Sequence, residues 1–168
     1  MTWNELLRTE LRRLYAQEEV AALTFAEMLE HASGTITRTI LRETIDGVPA
    51  RLARLEMILG DLHDPRKGKS LHSFDGWRED VREMGQGPPL EETRDTAILA
   101  LFLRMLRART ACYEVASILA RSLNAEKVAN LLGALLISDR ALDARVAETL
   151  ARVVIEGEGR WDLKELHA

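Results

Sequence analysis

Four long segments of this 168-residue chain repeat apolar residues in steps of three and four. Such steps place the side chains on one face of an α-helix, and a mean step of about 3.5 residues is typical of helices that pack lengthwise against each other. No segment shows the two-residue alternation of a half-buried β-strand. The chain is therefore predicted to be all-α. Long helices are expected over 3–32, 36–62, 90–122 and 125–156, with a short helix over 74–84.

The connections between these helices predict how they are arranged. Ser33-Gly34 makes the first connection tight, and Asn124 is a suitable N-cap for the last helix, so each pair of long helices forms an antiparallel hairpin. Residues 63–89 are a long crossover between the hairpins. Two hairpins joined by one long crossover form a ferritin-like four-helix bundle. We expect one domain over residues 1–168, with a C-terminal tail from about 157.

Composition limits the cellular locations and the classes of binding partner that we expect for this protein. The net charge of −4 gives no electrostatic case for nucleic acid. No apolar run approaches the roughly 20 residues that cross a bilayer, and the charged, amphipathic N-terminus is not a secretion signal. The single cysteine, Cys112, excludes an intramolecular disulfide and fits a reducing cytoplasm. We expect a cytoplasmic protein whose partners are neither nucleic acid nor membrane.

A glutamate interrupts the apolar stripe of the first helix. The stripe consists of Leu7, Leu11, Leu14, Glu18, Ala21, Phe25 and Met28. A buried ionised carboxylate is costly unless a metal, a cation or hydrogen-bond donors compensate it. Glu18 is therefore a structural residue, neutralised by an arginine such as Arg51 or Arg104, or it belongs to a site.

A second carboxylate, Asp139, lies on the stripe of the last helix. Arg140 and Arg145 are near it in sequence, which favours a structural role. Glu114 and Asp143 lie one helical turn from stripe positions and are predicted to flank the core. Bundles that hold two metal ions use a carboxylate from each of two helices and a Glu-x-x-His pair from each of the other two. This chain contains no Glu-x-x-His pair.

The remaining candidate ligands favour structural roles. His63 and His72 frame a basic tract in the crossover, where solvated loop histidines are commoner than a metal site. Cys112 lies on an apolar arc of the third long helix and is predicted to be a small buried hydrophobe. That arc consists of Ile98, Leu101, Phe102, Met105, Ala108, Ala111, Cys112, Val115, Ile118 and Leu119.

Four stretches resemble the YciE/YciF-like ferritin-like proteins, a bacterial stress-associated family. They are LRRLYAQEE at 11–19, RLEMILGDLHDPRKGKSLHSFDGW at 54–77, CYEVASILARSLN at 112–124 and LDARVAETL at 142–150. No single stretch is diagnostic, but they occur in the family's order and span nearly the whole chain. The resemblance implies a four-helix ferritin-like fold, a homodimer and a carboxylate-rich metal centre.

Only some of the metal-ligand positions of the family are matched by carboxylates in this chain. Glu18 matches the family's first-helix glutamate, Glu114 matches a glutamate of its third long helix, and Asp139 falls in its acidic last-helix cluster. The other ligand positions fall on or near residues without a carboxylate or imidazole: Thr44, Gly47, Ala111, Cys112, Ile137 and Ser138. Only Glu18 and Asp139 lie on apolar stripes, and these two carboxylates alone cannot fill the coordination of two metal ions. We therefore predict a degenerate metal site without a bound metal.

These observations leave three functions open. The leading one is a non-enzymatic, dimeric, stress-associated protein that works by association, with no cofactor. Its apolar tail residues, Trp161, Leu163 and Leu166, together with Trp3 and Trp77, would either form an interface or pack over the bundle ends. The first alternative is a di-iron or di-manganese oxidase or peroxide-handling enzyme with atypical metal ligands: Glu18, Glu114, Asp139 and Asp143. The second alternative is a small-molecule pocket beside Gly47, Ala111 and Ser138, with Glu18 in its wall.

Overall fold

Five α-helices make up the described part of the chain, residues 1–64, 68–69, 72–86 and 91–158 of a computed structural model. The helices are α1 (Trp3–His31), α2 (Thr35–Asp61), α3 (His72–Gln86), α4 (Glu91–Ser122) and α5 (Glu126–Glu158). No β-strand occurs in these ranges. The predicted all-α fold is confirmed, and each helix ends within two residues of its predicted bounds. The predicted tail lies outside the described residues from 159 onward.

The first hairpin depends on a tight turn that α4 holds. A capping box starts α1: Glu5 N–H donates to Thr2 Oγ1 at 3.2 Å, and Thr2 N–H donates to Glu5 Oε2 at 2.6 Å. In the turn after α1, the backbone N–H groups of Ser33 and Gly34 donate to Asp95 of α4. A Cβ at Gly34 would clash with the Asp95 carboxylate, so a larger residue would force Asp95 to shift from the backbone N–H groups that it accepts from.

Asn124 closes the end of α4, so its predicted role as the N-cap of α5 is wrong. It has a positive φ of 55°, its N–H donates to the Arg121 carbonyl at 3.0 Å, and the next N–H, of Ala125, donates to the Ala120 carbonyl at 2.9 Å. This is a Schellman motif, in which asparagine can replace the usual glycine. His63, with φ of 50°, ends α2 with the same pattern of hydrogen bonds.

The short helix α3 covers one end of α1 and α4. Its Phe74 and Val81 are buried, and the ring of the half-buried Trp77 packs edge-on against Phe74 with centroids 4.8 Å apart. Arg78 donates to Glu27 of α1 at 2.7 and 2.9 Å. Trp77 therefore packs onto the helices, whereas Trp3 is 70% exposed and Trp161 lies outside the described residues.

The interior is divided into two apolar clusters. One contains the C-terminal half of α1, the N-terminal half of α4 and buried residues of α2, α3 and α5; the other contains the N-terminal half of α1 and the C-terminal half of α4 with the facing parts of α2 and α5. Glu18, Arg51, Arg109 and Asp139 lie in sequence between the two clusters on their helices. The fold therefore has a charged layer at mid-height.

Candidate functional site

The charged layer takes one ionised side chain from each long helix: Glu18 from α1, Arg51 from α2, Arg109 from α4 and Asp139 from α5. Both carboxylate side chains are 0% exposed, and those of Arg51 and Arg109 are 10% and 2% exposed. Each is at a buried stripe position of its own helix, which is why the four meet. Two cations and two anions balance, so the layer carries no net formal charge.

Glu18 is held from two directions. Arg51 Nε donates to Glu18 Oε1 at 3.0 Å, and the hydroxyl of Tyr113 donates to the same oxygen at 2.8 Å. The other oxygen, Oε2, lies 3.6 Å from Arg109 Nη1, and neither of these two buried atoms has a hydrogen-bond partner. The interpretation of Glu18 as a structural residue neutralised by an arginine matches this geometry, and Arg51 is one of the two arginines named for it. The other, Arg104, is exposed.

Asp139 is the most heavily bonded member of the layer. Arg109 donates to both of its oxygens, at 2.8 and 3.2 Å. Arg51 Nη1 lies 2.8 Å from Oδ1, and Arg51 Nη2 donates to Oδ2 at 3.1 Å. Paired contacts of this kind match the planar guanidinium to the planar carboxylate. Asp139 is therefore paired inside the fold by Arg51 and Arg109, and not by the sequence neighbours Arg140 and Arg145 on which its predicted structural role was based.

The electrostatics of the layer favour its ionised form. Burial alone would raise the pKa of Glu18, but Arg109 and Arg51, with the hydrogen bonds from Tyr113 and Arg51, more than offset it, so that pKa is lowered. Burial opposes the charge of Arg51 too, yet Glu18, Tyr113 and Asp139 raise its pKa. Burial and the adjacent Glu18 raise the pKa of Tyr113 well above its usual value, so Tyr113 remains a neutral donor.

Two aromatic rings complete the surroundings of the arginines. The guanidinium carbon of Arg51 lies 5.0 Å from the centroid of the Tyr113 ring. That of Arg109 lies 5.9 Å from the centroid of Phe25. A guanidinium within about 6 Å of a ring face is attracted to it, most strongly where water is excluded. The rings therefore help to hold both cations in the interior.

Glu114 and Asp143 do not join the layer. Arg140 donates to Glu114 at 2.6 Å and Arg107 donates to Asp143 at 3.0 Å, both at the surface between α4 and α5. Their side chains are 42% and 27% exposed. Arg145 pairs with Glu43 of α2. The structure thus brings together Glu18 and Asp139 but leaves Glu114 and Asp143 on the flank.

The donor set in the layer does not fit a metal centre. Among the described residues, no group of three or more His, Cys, Asp and Glu side chains is placed to hold a metal ion. The two carboxylates that share the interior are bonded to guanidinium groups, whose positive charge repels a divalent cation. His63 lies just after α2, His72 is the first residue of α3, and Lys69 lies between them in sequence. Arg66, Lys67 and His167 are outside the described residues.

A cleft of about 330 Å³ opens between α2 and α5 beside the layer. Arg51, Arg109 and Asp139 form its buried wall, and exposed residues such as Glu43, Arg54 and Arg145 line its rim. Gly47 and Ser138 line it as predicted for a pocket. Glu18 does not line it, so that part of the prediction is wrong, and Ala111 belongs to a separate surface pocket of about 180 Å³.

Sequence reasoning missed Arg109 and Tyr113. Both lie on a buried stripe of α4 with steps of three and four: Phe102, Leu106, Arg109, Tyr113, Ala116 and Ala120. The arc assigned from sequence was rotated toward Val115 and Ile118, which are 48% and 62% exposed. The steps of this stripe are as regular as those of the assigned arc, so the sequence alone does not select the face that carries Arg109.

Cys112, predicted to be a small buried hydrophobe, is half-buried. Gln17 Nε2 donates a hydrogen bond to its Sγ at 3.5 Å, and burial raises the pKa of the thiol.

Comparison with known proteins gives one family and two similar structures. The model of a family described as a domain of unknown function, DUF892, matches residues 2–157. The Escherichia coli stress protein YciF superposes with a TM-score of 0.86 at 19% identity, over 92% of this chain and 98% of that chain. YcfI from Rhodopseudomonas palustris gives 0.82 at 20% identity, over 88% and 94%. At these identities the likeness shows the fold alone. None of the curated proteins matches this chain.

Proposed function

Because this chain belongs to the DUF892 family, we propose that it is a ferritin-like, stress-associated protein in which an ion-pair layer replaces the di-metal centre. It acts without catalysis, as a homodimer in the cytoplasm, and forms one domain. The stress association comes from the name of its structural neighbour YciF. The cytoplasmic location rests on the single unpaired cysteine. No helix among the described residues has the length and apolarity needed to span a bilayer.

The observation that carries this proposal is the pairing of both interior carboxylates with arginines. Glu18 and Asp139 are the family-matched ligands that remain in the interior, and Arg51 and Arg109 contact each of them. A metal ion there would have to displace at least one guanidinium. The displaced cation would then be buried without a partner, at a cost of several kcal/mol. Metal binding at these two carboxylates would therefore require the ion-pair layer to break.

Thermal unfolding with and without metal tests the proposal. A ligand that binds only the folded protein raises its unfolding temperature, since a concentration of about 100 times Kd contributes about 2.7 kcal/mol. We expect that excess manganous ion, or ferrous ion without oxygen, leaves the unfolding temperature at its value in a chelator. Stabilisation by either ion that is lost in Glu18→Gln would contradict the proposal and favour the alternative of a di-iron or di-manganese enzyme.

A second candidate function is small-molecule binding in the cleft between α2 and α5. The cleft favours it because Gly47 and Ser138 leave space beside three buried charged groups. A Cβ at Gly47 would meet no atom within 4 Å, so a side chain can begin there, and Gly47→Leu would extend one into the cleft. Native mass spectrometry of the purified protein would show an added mass that is absent from Gly47→Leu. A wild-type spectrum without an added mass would contradict this function.

A further inference from the structure

The cleft between α2 and α5 carries more positive than negative charge. Among the described residues, four arginines and two carboxylates line it: Arg51, Arg54, Arg109, Arg145, Glu43 and Asp139. Four cations against two anions leave a formal charge of +2, whereas the whole chain carries −4. A concave site with an excess of one sign of charge concentrates ions of the opposite sign. The charge of the cleft therefore favours an anionic ligand.

Both carboxylates of the cleft are neutralised within the fold, whereas Arg54 is not. Asp139 is bonded to two arginines of the layer, and Glu43 pairs with Arg145 at the rim. In the part of the chain that the structure describes, the exposed Arg54 has no carboxylate within ion-pair distance. The guanidinium of Arg54 is therefore available to an anion, and the cleft presents no unpaired carboxylate to a cation.

Arg51 offers further hydrogen-bond donors at the buried wall of the cleft. A guanidinium carries five N–H groups. At most three of those of Arg51 meet the interior carboxylates, because Nε donates to Glu18 while Nη1 and Nη2 each contact one oxygen of Asp139. The side chain of Arg51 is 10% exposed, more than those of the other three members of the layer. A ligand oxygen that reaches this wall can therefore accept from Arg51 while the layer stays intact.

The rest of the lining suits the carbon skeleton of an organic anion. Ala50, Leu135 and Leu142 contribute apolar groups, and Gly47 leaves space beside them. The exposed hydroxyl of Ser138 makes no hydrogen bond to another described residue, so it can donate to a ligand oxygen. Ligand pockets typically have volumes of about 300–1,000 Å³. At about 330 Å³ the cleft suits a small molecule.

We propose that the cleft binds a small organic carboxylate. Arg51 and Arg54 are three residues apart on α2, so their side chains are neighbours on one face of the helix and both can bond one carboxylate. The hydrocarbon part of the ligand packs against Leu135 and Leu142. This inference rests on small-molecule binding, the second candidate function, and adds the chemical class of the ligand and the residues that recognise it.

Isothermal titration calorimetry of the full chain with benzoate tests the class of ligand. Benzoate combines one carboxylate with a hydrocarbon ring. Benzamide keeps the ring without the charge, and inorganic phosphate keeps the charge without the ring. We expect the dissociation constant of benzoate to be at least about tenfold lower than that of either control, the effect of one hydrogen bond to a charged group. No binding of benzoate at millimolar concentration, or equal binding of either control, would overturn the proposal.

Two variants locate the bound carboxylate in the cleft. Arg54→Gln should raise the dissociation constant of benzoate at least about tenfold, because it removes the unpaired cation. Gly47→Leu should abolish binding, because its side chain extends into the cleft. Arg42→Gln is the matched control, since Arg42 is exposed on the same helix but does not line the cleft, and it should leave the constant unchanged. Circular dichroism and thermal unfolding establish that each variant is folded.

The ligand class and the binding cleft can fail separately. Benzoate binding that Arg54→Gln or Gly47→Leu leaves at the wild-type value would overturn the proposed carboxylate site. A neutral or cationic molecule found by native mass spectrometry in the wild type, and lost in Gly47→Leu, would overturn the ligand class but keep small-molecule binding. A wild-type spectrum without an added mass, together with no benzoate binding, would overturn both. None of these results bears on the metal-free interior, which the thermal unfolding experiments with metal test independently.

Discussion

Asp139 and Arg140 are neighbours on α5, yet they belong to two kinds of ion pair. Asp139 is fully buried and bonded to two arginines, whereas Arg140 is 66% exposed and bonded to Glu114 at the surface. Their shortest N–O distances, 2.8 and 2.6 Å, are nearly the same. Only the surroundings differ, because water solvates Arg140 but is excluded from Asp139. Burial, more than distance, therefore decides how much stability is lost when one partner of an ion pair is removed.

The largest loss in the free energy of unfolding is expected from Arg109→Met, which removes one cation from the layer. Asp139 loses a two-point partner and Glu18 loses the charge at its second oxygen, so two buried carboxylates are undercompensated. Breaking a buried pair from one side costs about 3–5 kcal/mol. Urea unfolding should show a loss of this size in the free energy of unfolding. A loss below about 1 kcal/mol would mean that water or rearrangement replaces Arg109.

Replacing the whole layer separates the loss of a partner from the loss of a charge. In Glu18→Leu, Arg51→Met, Arg109→Met and Asp139→Leu combined, no buried charge is left unpaired. Replacing a buried ion network by apolar residues of similar volume is often neutral or stabilising by about 1–4 kcal/mol. The fourfold variant should therefore be more stable than Arg109→Met alone in the same unfolding experiment. If the fourfold variant lost as much free energy of unfolding as the four single variants lose together, the layer would be stabilising in itself.

Tyr113→Phe should have a smaller effect than Arg109→Met. It removes the 2.8 Å hydrogen bond to Glu18 while keeping the ring that packs on Arg51. Leaving a buried acceptor without one of its donors costs about 1–3 kcal/mol. Arg51 still bonds the same oxygen, so the loss should lie in the lower part of that range. A change in the free energy of unfolding larger than that of Arg109→Met would contradict this order.

The pH dependence of stability should single out Glu18. Its pKa in the folded protein lies below the ordinary value of 4.5, so ionised Glu18 adds stability that is complete above about pH 4.5. That stability is lost as the pH falls through the lower, folded value. The difference in the free energy of unfolding between wild type and Glu18→Gln should therefore be constant near neutral pH and shrink in acid. A difference that already shrinks near pH 6 would show Glu18 protonating in the fold.

The smallest change in the free energy of unfolding is expected from Arg140→Ala. The Glu114–Arg140 pair is exposed on both sides, and exposed pairs contribute about 0–1 kcal/mol. The free energy of unfolding should change by less than about 1 kcal/mol, and less still at high salt. A change as large as that of Arg109→Met would erase the distinction between the two kinds of pair.

The helices could be predicted from sequence because each carries its own periodic signal and its own stop. Thr2 with Glu5 marks the start of α1, and steps of three and four define the buried face. The end of α4 at residue 122 was predicted correctly, but the role of Asn124 was misassigned because asparagine suits both an N-cap and a left-handed C-terminal position. Only the backbone hydrogen bonds of Asn124 and Ala125 distinguish these roles.

The site could be predicted only in part. Glu18 and Asp139 stood out because each is a carboxylate on an apolar stripe, and Arg51 was a named candidate. Arg109 was missed because α4 is apolar on several sides, so a small rotation of the assigned face hides a buried arginine. Which of the many arginines reaches which carboxylate depends on the relative rotation of four helices. A single sequence without contacts does not fix that rotation.

The metal content of the purified protein decides whether the ion-pair layer has replaced a metal centre in this fold. The chain would be purified aerobically without chelator, incubated with ferrous and manganous ions, desalted and measured by elemental analysis. We expect far less than one metal ion per chain, and the same low value for Glu18→Gln. Iron or manganese near one or two ions per chain in the wild type, and lost in Glu18→Gln, would contradict it.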